Sequence, residues 1–311
     1  MGTTQISTEE AQFQDIADCL EQDKFRIFPT YSRPGFKKIQ KTDYSSFFKK
    51  ADEAYLELVA LRERLDNPIL KERVQKLIDK ILFQKKVYAD KVVYTVHRNP
   101  ERPFKKVCLM LHGMLDSAEN FATLAPDVDD VLYVVPQGFK VCYPLPGPLP
   151  LAWNYQWFSL GAGSIFRPNP ITIKEGLEEN RPFLMQWLDD LAMLVGGYEN
   201  VMVCGFSQGA VVALDLLTQN RALSKVISVA GGMHPHIPLE LPQTEKRVLL
   251  IHCPKDRIVP FSLSKDSERR LIDLGAKVHF RKPIKHGHLV FTDTFGQVCM
   301  RHFIKGEKLP H

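Results

Sequence analysis

The spacing of apolar residues changes twice along this chain. Up to residue 43 the sequence is polar and weakly periodic, which predicts an irregular arm with at most a short helix over 8–21. From 44 to 66, Phe47, Ala51, Ala54, Leu58, Leu61 and Leu65 recur at alternating steps of four and three, the stripe of an amphipathic helix. Asn67-Pro68 then offers a capping side chain followed by proline at the first helical position. Leu70, Val74, Leu77, Ile78 and Ile81 give the apolar face of a second helix. Helices joined by so short a connection predict an antiparallel helical hairpin over 44–90.

From about residue 91 the pattern alternates between short apolar runs and amphipathic segments. The runs 91–98, 105–113, 131–138, 200–205, 225–232, 247–256 and 277–284 read as strands. Segments 179–195, 210–220, 262–275 and 292–304 read as helices. Runs such as VCLML and VMVC are apolar at nearly every position, as strands buried on both faces must be. The predicted class is α/β, a mostly parallel sheet with helices on both faces, preceded by the helical hairpin. The division is an arm (1–43), a hairpin (44–90) and an α/β domain (91–311). One segment, 141–170, breaks the alternation with six prolines and the aromatics Trp153, Tyr155, Trp157 and Phe158. A connection this long and apolar is expected to wall or cap a pocket, the alternative being a surface excursion sealed by its own aromatics.

Composition narrows the function class. The 311 residues are 44% hydrophobic and 25% charged, with net charge +5, ordinary for a globular enzyme or binding domain. The lysines and arginines form no stripe interleaved with aromatics, which argues against nucleic acid as a partner. No run is long and apolar enough for a transmembrane helix, and the N-terminus lacks the basic and apolar regions of a signal peptide, so a cytoplasmic location is expected. Cys19, Cys108, Cys142, Cys204, Cys253 and Cys299 have no metal-binding or redox spacing and read as buried free thiols. His234 and His236 form H-x-H with no acidic or cysteine ligand close by, so no metal site is expected there.

The chemistry concentrates around Gly205-Phe206-Ser207-Gln208-Gly209. An isolated G-x-S-x-G is weak evidence. This one sits between an apolar strand and an apolar helix, the setting a nucleophilic serine needs at a tight strand-to-helix turn. A serine hydroxyl also needs a base, and the base an orienting acid. Downstream, Asp256 follows the strand 247–256, and His286 and His288 follow the strand 277–284. Asp256 stands at the carboxyl end of its strand, where open α/β sheets place their sites. His288, at the entry to the last helix, is preferred to His286. His112 and His252 end buried strands and are expected to be satisfied by backbone hydrogen bonds. An oxyanion needs two donors. The Gln208 amide at the start of the following helix supplies one, and Met114 or its neighbour in the loop Leu111-His112-Gly113-Met114-Leu115-Asp116 supplies the other.

Taken together, LHGMLD, GFSQG, HCPKDRIVP and KHGH resemble, in order and rough spacing, the motifs of the phospholipase/carboxylesterase family of α/β-hydrolases. The resemblance covers about 92–304. It implies an α/β-hydrolase fold, a Ser207–Asp256–His288 triad, the Met114 and Gln208 amides as oxyanion hole, and no cofactor. Leu115 and Cys253 stand where the family commonly has glycine, and Ser159 replaces the aspartate of its W-F-D. The implied activity is cleavage of carboxylic esters or thioesters with an apolar acyl chain through an acyl-enzyme. Leu115, Trp153, Trp157 and Phe158 are the candidate pocket residues. The alternatives are a lysophospholipase or lipase, and a non-enzymatic scaffold. The expected substrate is a small molecule or an acylated protein or lipid. The hairpin 44–90 is expected to pack on the α/β domain or on a second copy of itself, the alternative being a partner-binding or membrane-surface module.

Overall fold

A computed structural model of the protein describes residues 8–24, 39–89, 91–99, 102–142, 155–160, 169–235, 237 and 244–310, with backbone alone for 19–24 and 39–40. These residues fall into two compact units, one helical and one built on a sheet, with boundaries near Thr42 and Lys91.

The helical unit contains α1 (Thr8–Lys24), α2 (Ser45–Arg64) and α3 (Pro68–Tyr88). α2 and α3 form on the stripes read from the sequence: Ala51, Leu58 and Leu61 face Leu70, Val74, Ile78 and Ile81 in one buried cluster. α3 starts at Pro68, and the Asn67 side chain accepts from the amides of Ile69 and Leu70 at 3.0 and 3.2 Å. The arm holds a helix where the short one over 8–21 is expected. α1 runs to Lys24, and its Phe13 and Ile16 are buried in the same cluster. The Arg73 guanidinium lies 4.9 Å from the Phe13 ring centre and 3.2 Å from Glu10, so α1 is fastened at two points to α3. Two apolar residues one turn apart are enough to dock a helix, yet too few to register as a period.

The second unit holds an eight-stranded sheet in the order β1-β2-β4-β3-β7-β8-β9-β10. The strands are β1 (Ile39–Lys41), β2 (Val93–His97), β3 (Lys106–Leu111), β4 (Val131–Pro136), β7 (Val201–Phe206), β8 (Lys225–Val229), β9 (Arg247–Ile251) and β10 (Lys277–Arg281). From β4 to β10 every pairing is parallel, while β2 runs antiparallel to β4 and to β1. Side chains alternate across the strands. Cys108, Met110, Met202, Cys204, Ile227, Val229, Leu249 and Ile251 face one cluster, completed by α4 (Ala118–Ala122) and α8 (Thr294–Lys305). α5 (Pro170–Leu194) and α6 (Gln208–Gln219) lie against β3 and β7 and contribute nothing to that cluster, so they cover the opposite face. α7 (Phe261–Asp273) packs beside β10. An Arg181–Asp215 pair, at 2.9 and 2.8 Å, joins α5 to α6 with Asp215 almost fully buried.

Two expectations change here. α5 begins at Pro170 rather than near 179, because Asn169 caps it by accepting from the Ile171 amide at 2.9 Å. The segment 141–170 is pinned at its base by a two-stranded ribbon of β5 (Lys140–Val141) and β6 (Tyr155–Gln156), and 143–154 and 161–168 lie outside the described residues. Cys108, Cys142, Cys204, Cys253 and Cys299 are buried thiols outside any disulfide. No helix among the described residues is long and apolar enough to cross a membrane.

Candidate active site

Four loops leave the carboxyl ends of β3, β7, β9 and β10 and converge on Ser207. The convergence follows from the sheet: these ends lie on one edge because the strands are parallel. β7 is central, flanked by β3 and β8, so its terminal turn is the meeting point.

That turn is strained. Ser207 has φ 52° and ψ −114°, a backbone region that L-residues other than glycine rarely occupy. The flanking glycines make it possible. A side-chain carbon added at Gly205 would lie 2.1 Å from the Gly209 carbonyl oxygen, and one at Gly209 would lie 2.1 Å from that of Leu111. The strand and the helix it feeds therefore pass closer than any Cβ allows. The Ser207 amide donates to Val229 O at 2.8 Å, which anchors the turn to β8.

Ser207 Oγ lies 3.0 Å from His288 Nε2, and His288 Nδ1 lies 2.8 Å from Asp256 Oδ2. A carboxylate only accepts, so Nδ1 carries the proton and Nε2 turns its lone pair toward the serine hydroxyl. Asp256 Oδ1 accepts from the amides of Ile258 and Val259 at 2.8 and 3.0 Å. Burial pushes the Asp256 carboxyl up, but hydrogen bonds from His252, His288 and those amides outweigh it and hold its pKa well below the usual carboxylate range. The structure thus brings together Ser207, Asp256 and His288. His286 is half-exposed, has a left-handed backbone and points instead to Asp293 at 3.3 Å.

His252 corrects the sequence reading. Its Nε2 lies 3.1 Å from Asp256 Oδ2 and 3.2 Å from Val259 O, both acceptors, so Nε2 carries a proton and donates there. Its Nδ1 is 2.6 Å from Ser264 Oγ on α7. It is fully buried and bonded mainly to side chains, and Asp256 therefore accepts from two imidazoles. Asp256 follows His252 by four positions across a turn, where no helix or strand pattern reveals the pairing. His112, by contrast, is held by backbone, with Nδ1 2.7 Å from Gly113 O and Nε2 accepting from the Gly138 amide at 2.9 Å. Gln137 Nε2 also approaches its Nε2, at 3.1 Å.

The loop after β3 packs on the serine turn. A carbon added at Gly113 would lie 2.9 Å from the Phe206 ring and 3.5 Å from Ser207 Cβ. Leu115 takes a left-handed backbone, φ 66°, where the resembling motif has glycine. Its amide is committed to Tyr155 O at 2.9 Å, and Tyr155 N returns a bond to Asp116 O at 3.2 Å. Of the two candidate amides in this loop, that leaves Met114. Gln208 opens α6 with no side-chain cap before it, so its amide lies within the unsatisfied first turn.

Trp157 and Phe158 are fully buried rather than open to a substrate. The Trp157 indole N–H donates to His112 O at 2.8 Å. The Gln208 side chain accepts from the Trp157 amide at 2.7 Å and donates to Phe158 O at 2.8 Å. Both aromatics thus fasten the 155–160 segment to α6 and the β3 loop. Trp153 lies outside the described residues. Leu115 remains half-exposed beside the turn.

Among solved structures, esterase PE8 superposes with a TM-score of 0.55 at 27% identity, over 66% of this chain and 94% of that one. A carboxylesterase from Mesorhizobium loti gives 0.55 at 16% identity, over 70% and 97% of the two chains. YahD gives 0.54 at 17% identity, over 70% and 99%. The last two likenesses establish the α/β-hydrolase fold alone. The phospholipase/carboxylesterase family model matches residues 94–305, well over half of the chain. With that match, the parallel sheet and the serine turn all in one unit, this chain belongs to the phospholipase/carboxylesterase family of ester hydrolases.

Proposed function

We propose that the protein is a serine hydrolase of carboxylic esters or thioesters bearing an apolar acyl chain. The observation that carries this reading is the unbroken line from Ser207 Oγ through His288 to Asp256, at 3.0 and 2.8 Å, on a strained turn. Ser207 Oγ attacks the carbonyl carbon while His288 Nε2 takes its proton. Asp256 holds the imidazole in the tautomer that permits this and stabilises the imidazolium that forms. The Gln208 and Met114 amides face the carbonyl oxygen as it becomes negative, each such donor being worth about 3–4 kcal/mol. His288 then returns the proton to the departing alkoxide or thiolate, leaving an ester on Ser207. A water molecule attacks that ester by the same steps in reverse order, His288 again acting as base, and the carboxylic acid departs.

The choice between ester and thioester lies in the leaving-group side, and chain length lies in the walls around Leu115. A fluorophosphonate probe is expected to label the protein at Ser207, seen by mass spectrometry of the modified peptide. A series of p-nitrophenyl esters and acyl thioesters of rising chain length then ranks substrates. Folded protein that takes no label, or Ser207→Ala protein turning over short-chain esters at the original rate, would sink this reading.

A further inference from the structure

The turn 254–260 carries Asp256 and the loop 282–289 carries His288, and the two touch. A carbon added at Gly287 would lie 3.8 Å from Lys255 O. Their outward residues have a composition that the site chemistry does not use. Ile258, Ile284 and Leu289 are 43%, 68% and 63% exposed. Lys255, Arg257, Lys282 and Lys285 are exposed as well, and none has a carboxylate partner among the described residues. The nearby carboxylates are turned inward. Asp256 is buried between two imidazoles. Asp293 caps α8 by accepting from the amides of Phe295 and Gly296, and it also faces His286.

Single exposed aliphatic residues are ordinary. Here three of them lie within three residues of the Gly287–Lys255 approach, which makes one rim of the two loops, and each lies within a few residues of a cation along the chain, as in Arg257-Ile258 and Lys282-Pro283-Ile284-Lys285. We propose that this rim docks the protein on an anionic phospholipid surface, with the opening to Ser207 turned toward the bilayer. The aliphatic side chains enter the boundary between headgroups and acyl chains, while the cations remain among the anionic headgroups. The docking itself stands on the rim alone. Its use, presenting membrane-borne acyl groups to Ser207, rests on the proposed hydrolase reaction.

The test is flotation of the full chain with vesicles of phosphatidylcholine alone and of equal parts phosphatidylcholine and phosphatidylserine. Turnover of a soluble short-chain ester is measured in parallel. Binding to the anionic vesicles is expected, weakened by raised salt and not displaced by inorganic phosphate. Each cation near such a surface is worth about a fivefold gain in partitioning. Lys282→Glu with Lys285→Glu should therefore lower binding by more than about tenfold. Ile284→Asn should weaken it without changing its salt dependence. Both variants are expected to keep the soluble-ester rate, and Ser207→Ala protein should bind vesicles as the original does, which separates docking from catalysis. Absent binding to anionic vesicles, equal binding to neutral ones, or undiminished binding by both rim variants overturns the proposal. Capture by immobilised polyglutamate without vesicle binding would reassign the rim to an acidic protein and overturn it equally.

Discussion

Helices α3 and α6 each begin at a polar residue, and they begin in opposite ways. Before α3, Asn67 has ordinary extended backbone and its side chain accepts from the amides of Ile69 and Leu70. Before α6, Ser207 has left-handed backbone, caps nothing, and offers its hydroxyl to His288 instead. The first arrangement satisfies the orphan amides of a helix start and stabilises it. The second leaves α6's first amides open and holds its lead residue in a strained conformation, which is unfavourable locally. The surrounding sheet makes up the difference, since β7 is paired on both sides and α6 is buried along most of its length. Strain collects near this edge: among the described residues, the non-glycine positions with left-handed φ are Leu115, Ser207, Ala230 and His286. All follow strands of the second unit, and the helical unit has none among its described residues.

The sharpest way to break the comparison is Asp256→Asn. If the α6 start exists for chemistry, ester turnover should fall about ten-thousand-fold, as when a triad acid loses the power to fix its imidazole's tautomer. A fall of less than tenfold in a kcat/KM measurement would mean Ser207's geometry serves something else. His252→Leu comes next. It removes one donor from Asp256, leaving the carboxylate more strongly basic and better able to stabilise the charged imidazole of His288. The acid limb of the kcat/KM profile should move to higher pH, by roughly one unit or less. His252→Gln, which keeps a donor, should return it toward the original position, whereas a purely structural role for His252 would leave the limb unmoved in both. Asn67→Ala tests the other helix. It should destabilise by about 1 kcal/mol in urea unfolding of the helical unit, with the soluble-ester rate unchanged. Leu115→Gly has the smallest expected effect. It relieves the left-handed backbone but loosens the unfolded chain, so stability should move by less than about 1 kcal/mol. The informative readout is KM, which should rise for long-chain esters more than for short ones if Leu115 touches the acyl chain.

Asp256 also links the site to stability. Its folded pKa is depressed below its unfolded value. The stabilisation it contributes is therefore complete above the unfolded carboxylate range, near pH 4, and is lost as pH falls toward the depressed folded value. Between neutrality and pH 5 this group stays ionised, so a decline in turnover there does not come from Asp256.

Much of this is legible in the sequence. The parallel sheet followed from apolar runs too continuous for a half-exposed strand, and the serine turn from glycines at fixed places between such a run and a helix. Ser207, Asp256 and His288 were readable because each follows a strand end and the chain order constrains them. What escaped had no period. β1, at the end of the arm, is three residues long. Asn169-Pro170 repeats the Asn67-Pro68 start, yet proline after proline in 141–170 disguised it as the end of a loop. Trp157 looked like a pocket wall because aromatic clusters in long loops often are. Its indole N–H, bound to His112 O, shows that it is a rivet.

Gln208 combines two separable duties in one residue. Its side chain clasps the 155–160 segment at two points, and its main-chain amide opens α6 beside the serine. Any substitution other than proline deletes the clasp and keeps the amide. The amide proposed as oxyanion donor is thus sheltered from side-chain substitution, while the segment beside it is open to remodelling one side chain at a time. On such a scaffold, the 155–160 segment can be re-anchored without the α6 amide being lost.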